Sequence, residues 1–230
     1  LQPKEIVVVF NNWSDKPKLA DLLKEVGEVE FSITAVFAGQ THLGDARNQG
    51  IKKALGSILA MLDAGDEIAE DHLEVAVNSL NAAGPRHIYC AGYLNIYPNG
   101  STEFRVLKKR QKISKLRILL LNPIGHSSVV VRKSEFGFYP NLPKRQDMLK
   151  WDQLFDDDYA FYYNPQVKMF RYVAKDSISG NKMKLIGPHF IATMRTKGLF
   201  VAFIATLSTC LAHTILHVKR RIRHSLNIQS

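Results

Sequence analysis

Cysteine is nearly absent: Cys90 and Cys210 are the only two in 230 residues, far apart and in no Cys-x-x-Cys pair. That excludes a disulfide framework and a zinc knuckle, and it fits a reducing compartment. Gly-x-Gly-x-x-Gly and Gly-Lys-Ser/Thr phosphate loops are missing too, which argues against dinucleotide enzymes and ATPases. No nucleophile elbow of a Ser-His-Asp hydrolase occurs, and His213 and His217, four apart, lack the adjacent glutamate of a His-Glu-x-x-His protease. Leu1 to Glu5 contains no charged segment followed by an apolar stretch, so no signal peptide is expected. Acidic residues are outnumbered, 21 against 31 Lys and Arg, and the formal net charge of +10 calls for an anionic partner: nucleic acid, phospholipid head groups or a phosphorylated small molecule. There is no zinc-finger spacing, RNP-like aromatic motif or obvious recognition helix, so nucleic acid is not the expected partner.

What is present is enough apolar residue, 46% of the chain, to bury a core. Glu5 to Phe10 is a short β-branched run ended by Asn11-Asn12, the pattern of a strand buried on both faces. Leu19, Leu22, Leu23 and Val26 fall at helical spacing before Gly27, and residues 32 to 37 read as the next strand. Helix over 46 to 55, buried strand over 57 to 62 and helix over 70 to 80 then follow. Strand alternating with helix three times predicts a layered α/β sheet, with ligands gathered at the carboxyl ends of strands. Asn11-Asn12 and Asp63 to Asp66 both sit at such ends. Strands around 88 to 97, 127 to 132 and 159 to 171, separated by less regular segments, predict that the sheet becomes mixed.

Charge is unevenly spread. Bases crowd Lys108 to Lys115 and the tail Lys219, Arg220, Arg221 and Arg223, whereas acids gather between Asp63 and Glu74. Two carboxylates closing a buried strand are costly unless solvated or paired with a cation. As hard oxygen ligands they suit Mg²⁺ or Mn²⁺ carrying a diphosphate, or else they close a turn and cap the next helix.

Four blocks carry a resemblance. Ala46-Arg47-Asn48-Gln49-Gly50-Ile51 precedes the strand that ends Asp63-Ala64-Gly65-Asp66. Asn122-Pro123-Ile124-Gly125-His126-Ser127-Ser128 leads into Val129 to Arg132. Gln146-Asp147 is followed by Trp151, and Phe170-Arg171 by Ser177-Ile178-Ser179-Gly180. In this order, over roughly residues 5 to 185, they resemble the family 2 glycosyltransferases, and the chain looks like a member lacking the family's first strand. The resemblance implies a GT-A-like fold, with a mixed, mainly parallel sheet flanked by helices. It also implies inverting transfer of a sugar from a nucleotide-sugar donor to a hydroxyl of a growing glycan or a lipid-linked acceptor. Asp66, with Asp63 against the ribose or metal, would hold the divalent ion; Asp147 would be the general base, a role a partly desolvated carboxylate can fill. Asn12 would stand where the family has paired Asp residues at the base, Arg47 and His126 would meet the diphosphate, and Trp151 would help exclude water. Read from the residues alone, Asp147 is equally a solvated helix-start carboxylate, Trp151 a core anchor, Arg47 a surface residue and His126 a loop histidine.

The domain read over residues 1–185 is followed, over 186–230, by an apolar helix and basic tail. Leu199 to Val218 is mostly apolar and flanked by Arg195, Lys197 and the tail, but Thr206, Ser208, Thr209, His213 and Thr214 dilute it. It reads as a helix lying in a membrane interface, spanning it, or packed on the protein. The expected setting is the cytoplasmic face of a bacterial membrane. The rival readings are a non-catalytic relative and a basic protein that docks on membrane surfaces.

Overall fold

The structure is a computed structural model that describes residues 1–12, 21, 24, 27–107, 111–115, 118, 122–173 and 186–211. The predicted helix over 16 to 26, the Ser177 block and the basic tail therefore lie almost wholly or wholly outside the described residues. Strand β1 (Glu5–Phe10) pairs in parallel with β2 (Ser32–Phe37), in register from Glu5 with Ser32 to Phe10 with Phe37. These two make a sheet of their own, and Phe10 stacks on Phe37 with ring centroids 5.2 Å apart. β1 is half-buried rather than buried on both faces. Helix α1 (Leu43–Lys53) lies against it so closely that a side chain at Gly50 would come within 2.7 Å of Val9 Cγ2. Only glycine allows that approach.

A seven-stranded sheet forms the rest: β3 (Ile58–Ala60), β8 (Val130–Arg132), β5 (His87–Ile96), β9 (Ala160–Tyr172) and β4 (Asp66–Ile68) in that order, with β6 (Thr102–Arg105) on β5 and β7 (Gln111–Lys112) on β9. The two longest ladders, β1 with β2 and β5 with β9, are parallel, and the shorter ones are antiparallel. β3 is shorter than predicted and only Leu59 in it is buried, because it ends the sheet with β8 as its partner.

Alternation along the central strands places the core on both faces. Ile88, Cys90, Val129 and Val131 join Trp151, Leu154 and Phe161 on one side, where helix α4 (Gln146–Asp156) packs. Tyr89, Ala91 and Val130 meet Ala76 and Leu80 of helix α2 (His72–Ala83) on the other. Each fully buried aliphatic side chain here is worth about 1.5–3 kcal/mol. The link from β8 into the short helix α3 (Lys133–Phe136) closes two helix ends at once. Arg132 donates to the carbonyls of Leu80 and Gly84, each at 2.7 Å, and Lys133 donates to that of Ala54. Cations on the last carbonyls of α2 and α1 satisfy orphan acceptors and oppose the helix dipole.

His72, at the start of α2, is 1% exposed, lies edge-on to Tyr89, and neither ring nitrogen has a hydrogen-bond partner among the described residues. Burial holds its pKa down at about 4 against the ordinary 6.5, with Asp71 opposing. Between those values the unfolded chain takes up a proton that the folded chain refuses, so stability falls as pH drops through that window and levels off below it. The expected loss is up to about 3 kcal/mol. Urea melts at pH 7 and 4.5 on the native chain and on His72→Gln check this; an equal acid loss in both would remove His72 as the cause.

Candidate active site

The carboxyl end of β3 runs into Asp63-Ala64-Gly65-Asp66, a tight turn closed by a hydrogen bond from Asp66 N to Asp63 O at 3.0 Å. Gly65 has φ +88°, the left-handed value required at the third position of such a turn, so a side chain there would strain it. The turn sets two carboxylates on one bend, with Asp66 as the first residue of β4, opposite Arg171 of β9.

Arg47, from the second turn of α1, donates to Asp63 Oδ1 at 2.5 Å. His126 opens a single 3₁₀ turn (His126–Ser128), and its Nδ1 lies 3.2 Å from the same oxygen, near enough for attraction although not aligned as a hydrogen bond. Burial alone raises the Asp63 pKa, but His126 and then Arg47 outweigh it and hold the carboxyl well below the usual carboxylate range. Ser127 ties the two acids together: its Oγ accepts from Asp63 N at 3.0 Å and donates to Asp66 Oδ2 at 2.6 Å. Asp66 is raised above the ordinary value, by burial first and by the Asp63 charge against the pull of Ser127 and Arg171. The neighbouring acids are thus pushed apart, Asp63 firmly ionised and Asp66 more easily protonated. The 3₁₀ turn is fixed from below by Ser128, whose Oγ accepts from Ala91 N of β5 and donates to Gly125 O.

Tyr139 completes the cluster. Its phenol lies 2.7 Å from His126 Nε2, the Arg47 guanidinium sits 5.4 Å from its ring centroid, and Asn48 bridges to its backbone through both amide atoms. Burial pushes the Tyr139 phenol far up, so it stays neutral. Asp147 enters from the first turn of α4 and is close enough to act electrostatically on Tyr139 and on Arg145, the residue just before the helix.

The structure thus brings Arg47, Asp63, Asp66 and His126 into one cluster with Asp147 nearby. Trp151 is fully buried beneath His126, with ring centroids 6.2 Å apart, and packed on Phe136 and Phe161. Trp151 therefore lines no open surface; it is the core anchor that its residue type also allowed. Asn12 lies elsewhere, in an open cleft of about 610 Å³ at the carboxyl ends of β1 and β2, with Asn11, Gln40, Thr41, His42 and Asp45. That cleft covers the amino end of α1, one turn before Arg47. Ser127, Tyr139 and Asn48 were not singled out from sequence as site residues, although the first and last stand inside the motif blocks. Among the described residues no group of three or more His, Cys, Asp or Glu gathers as a ready-made metal site.

The family model described as "Glycosyl transferase family 2" matches residues 1–136. Of curated proteins, an "Uncharacterized glycosyltransferase" of Haemophilus influenzae is 28% identical over 77% of this chain and 66% of its own length. The "Amylovoran biosynthesis glycosyltransferase AmsB" of Erwinia amylovora is 27% identical over 64% of this chain and 45% of its own. The chain therefore spans roughly half to two thirds of those relatives. Among solved structures, TarS of S. aureus, residues 1–349, covers 91% of this chain and 63% of its own with a TM-score of 0.59 at 14% identity. The same protein in complex with UDP-GlcNAc gives a TM-score of 0.60 at 12% identity, over 91% of this chain and 64% of its own. That likeness is one of fold: the expected GT-A-like mixed α/β sheet flanked by helices is the fold found.

Proposed function

This chain belongs to glycosyl transferase family 2, and from that premise we propose inverting transfer of a sugar from a nucleoside-diphosphate sugar to a hydroxyl of a growing surface glycan or lipid-linked acceptor. The carrying observation is the Asp63 and Asp66 bend, locked by Ser127 and faced by Arg47 and His126. Donor and acceptor enter as proposals only. A UDP-GlcNAc complex of a structural neighbour supports a uridine diphosphate sugar as the first donor to try, and the amylovoran relative supports a polysaccharide acceptor.

Enzymes of this family generally use a divalent metal. Two carboxylates on one turn fit Mg²⁺ or Mn²⁺, ions that take one or two protein carboxylates and fill their shell with phosphate oxygens and water. Bound there, the ion would offset charge growing on the leaving diphosphate. Arg47 is positioned to orient Asp63 and to face the phosphates, with His126 bracing the same carboxylate. Asn12 and its cleft receive the base, where asparagine offers both a donor and an acceptor. Asp147 takes the acceptor's hydroxyl proton as that oxygen bonds to the anomeric carbon from the face opposite the diphosphate. The bond from anomeric carbon to phosphate oxygen breaks, and the nucleoside diphosphate leaves with the electron pair.

Calorimetric titration with UDP, UDP-GlcNAc and other nucleoside diphosphates, in Mn²⁺ and then in chelator, tests the donor site. Mn²⁺ is expected to tighten one nucleotide by at least about tenfold, some 1.4 kcal/mol. Asp66→Asn is expected to erase that increment with the fold intact. A folded chain that binds no nucleotide in either condition sinks the reading and leaves the non-catalytic alternative.

A further inference from the structure

Residues 199–211 form a helix that is inside out for a water-soluble surface. Its buried positions are alanines, Ala202 and Ala205, at 0% and 2% exposure. Its large apolar side chains face outward: Phe200 at 76%, Phe203 at 64%, Ile204 at 47%, and Leu207 and Leu211 at 61% each. Positions 200, 203, 204, 207 and 211 share one helix face, so these exposures make a continuous stripe rather than scattered single residues. An apolar stripe of this size marks a contact surface.

The charge around it chooses the occupant. Arg195 is exposed just before the stripe, and Lys219, Arg220, Arg221 and Arg223 follow it in sequence, outside the described residues. A second copy of the chain carries the same +10 charge and would repel it, whereas an anionic lipid surface is complementary to that charge. Among the described residues no helix is long and apolar enough to cross a membrane. We infer that helix 199–211 lies in the head-group region of an anionic membrane, its Phe200, Phe203 and Leu207 face among the acyl chains and Arg195 at the lipid phosphates. The helix fixes the protein to the surface in the manner of an interfacial amphipathic helix. This goes beyond the transfer reaction and does not depend on it.

Co-sedimentation of the 230-residue chain with phosphatidylcholine vesicles, with and without phosphatidylglycerol, tests the inference. The chain is expected to pellet with the anionic vesicles and far less with the neutral ones. Phe203→Glu with Leu207→Glu is expected to lower partitioning by about 100-fold, since two large side chains lose their transfer into lipid. Both positions are exposed, so the fold should persist, and circular dichroism checks it. Three results overturn the inference. The chain stays in the supernatant with both vesicles; the double variant pellets as the native chain does, which would mean charge adsorption alone; or the native chain is a dimer that the double variant dissolves while neither binds lipid. Nucleotide titration of the double variant separates this result from failure of the donor site.

Discussion

Asp147→Asn is expected to leave a folded protein that binds its donor but turns over about 10²–10⁴-fold more slowly, the range for loss of a general base. The position carries the argument. Asp147 lies in the first turn of α4, between Gln146 and Met148, which are both buried. Arg145, just before the helix, adopts a left-handed backbone at φ 64°, so the chain turns sharply into α4 and delivers the carboxylate beside Tyr139. Because Asp147 is half-buried and asparagine matches it in shape, the side chain fits in its place, and the loss is expected in kcat rather than in stability or donor affinity. Steady-state kinetics, donor titration and a urea melt on the same preparation separate these. Full turnover would remove Asp147 as the base, and a matching loss of stability would make it structural.

The regular elements were legible where the residue pattern had no competitor. Glu5 to Phe10, the long strands β5 and β9, and helices α1 and α2 follow from β-branched runs or apolar spacing, and each was placed to within a few residues. β4, β6 and β7 were not, because two to four mostly polar residues carry no period. Asp66–Ile68 exists as a strand only because Arg171 to Met169 of β9 lie opposite. Likewise, the residues before Val129 were read as strand, but Ser128 bonding back to Gly125 O winds them into a 3₁₀ turn, and that turn aims His126 at Asp63.

The site was legible as motif blocks and not as geometry. Nothing in Ala46-Arg47-Asn48 or Gly125-His126-Ser127 says that Arg47 and His126 share one oxygen of Asp63, or that Ser127 bridges both acids. Those contacts join segments far apart in the chain, and the β3 to β8 pairing sets their register. Sequence could pair Gln146-Asp147 with Trp151 as one motif, and the four-residue spacing puts Asp147 and Trp151 on one face of α4, but spacing does not say that the first is half-buried and the second enclosed. Asp147 meets the site, and Trp151 one turn on meets the core.

Trp151→Ala is expected to cost about 3–5 kcal/mol, a large part of the 5–15 kcal/mol that holds a domain together. The indole is wholly enclosed: edge-on to Phe161 at 5.7 Å between centroids, against Phe136 at 6.2 Å, and beneath His126 at 6.2 Å. Truncation leaves a void that a close-packed neighbourhood, fixed by the sheet on one side and α4 on the other, fills only in part. Its Nε1 is buried with no hydrogen-bond partner among the described residues, so Trp151→Phe gives up no bond there and is expected to cost much less, about 1 kcal/mol, through volume alone. Urea melts of both variants test the core assignment. Donor affinity measured below the melt adds a second reading: with the floor under His126 removed, Asp63 loses part of its bracing and binding weakens modestly. A Trp151→Ala protein as stable as the native chain but unable to bind nucleotide would reverse the assignment and make the indole a ligand contact.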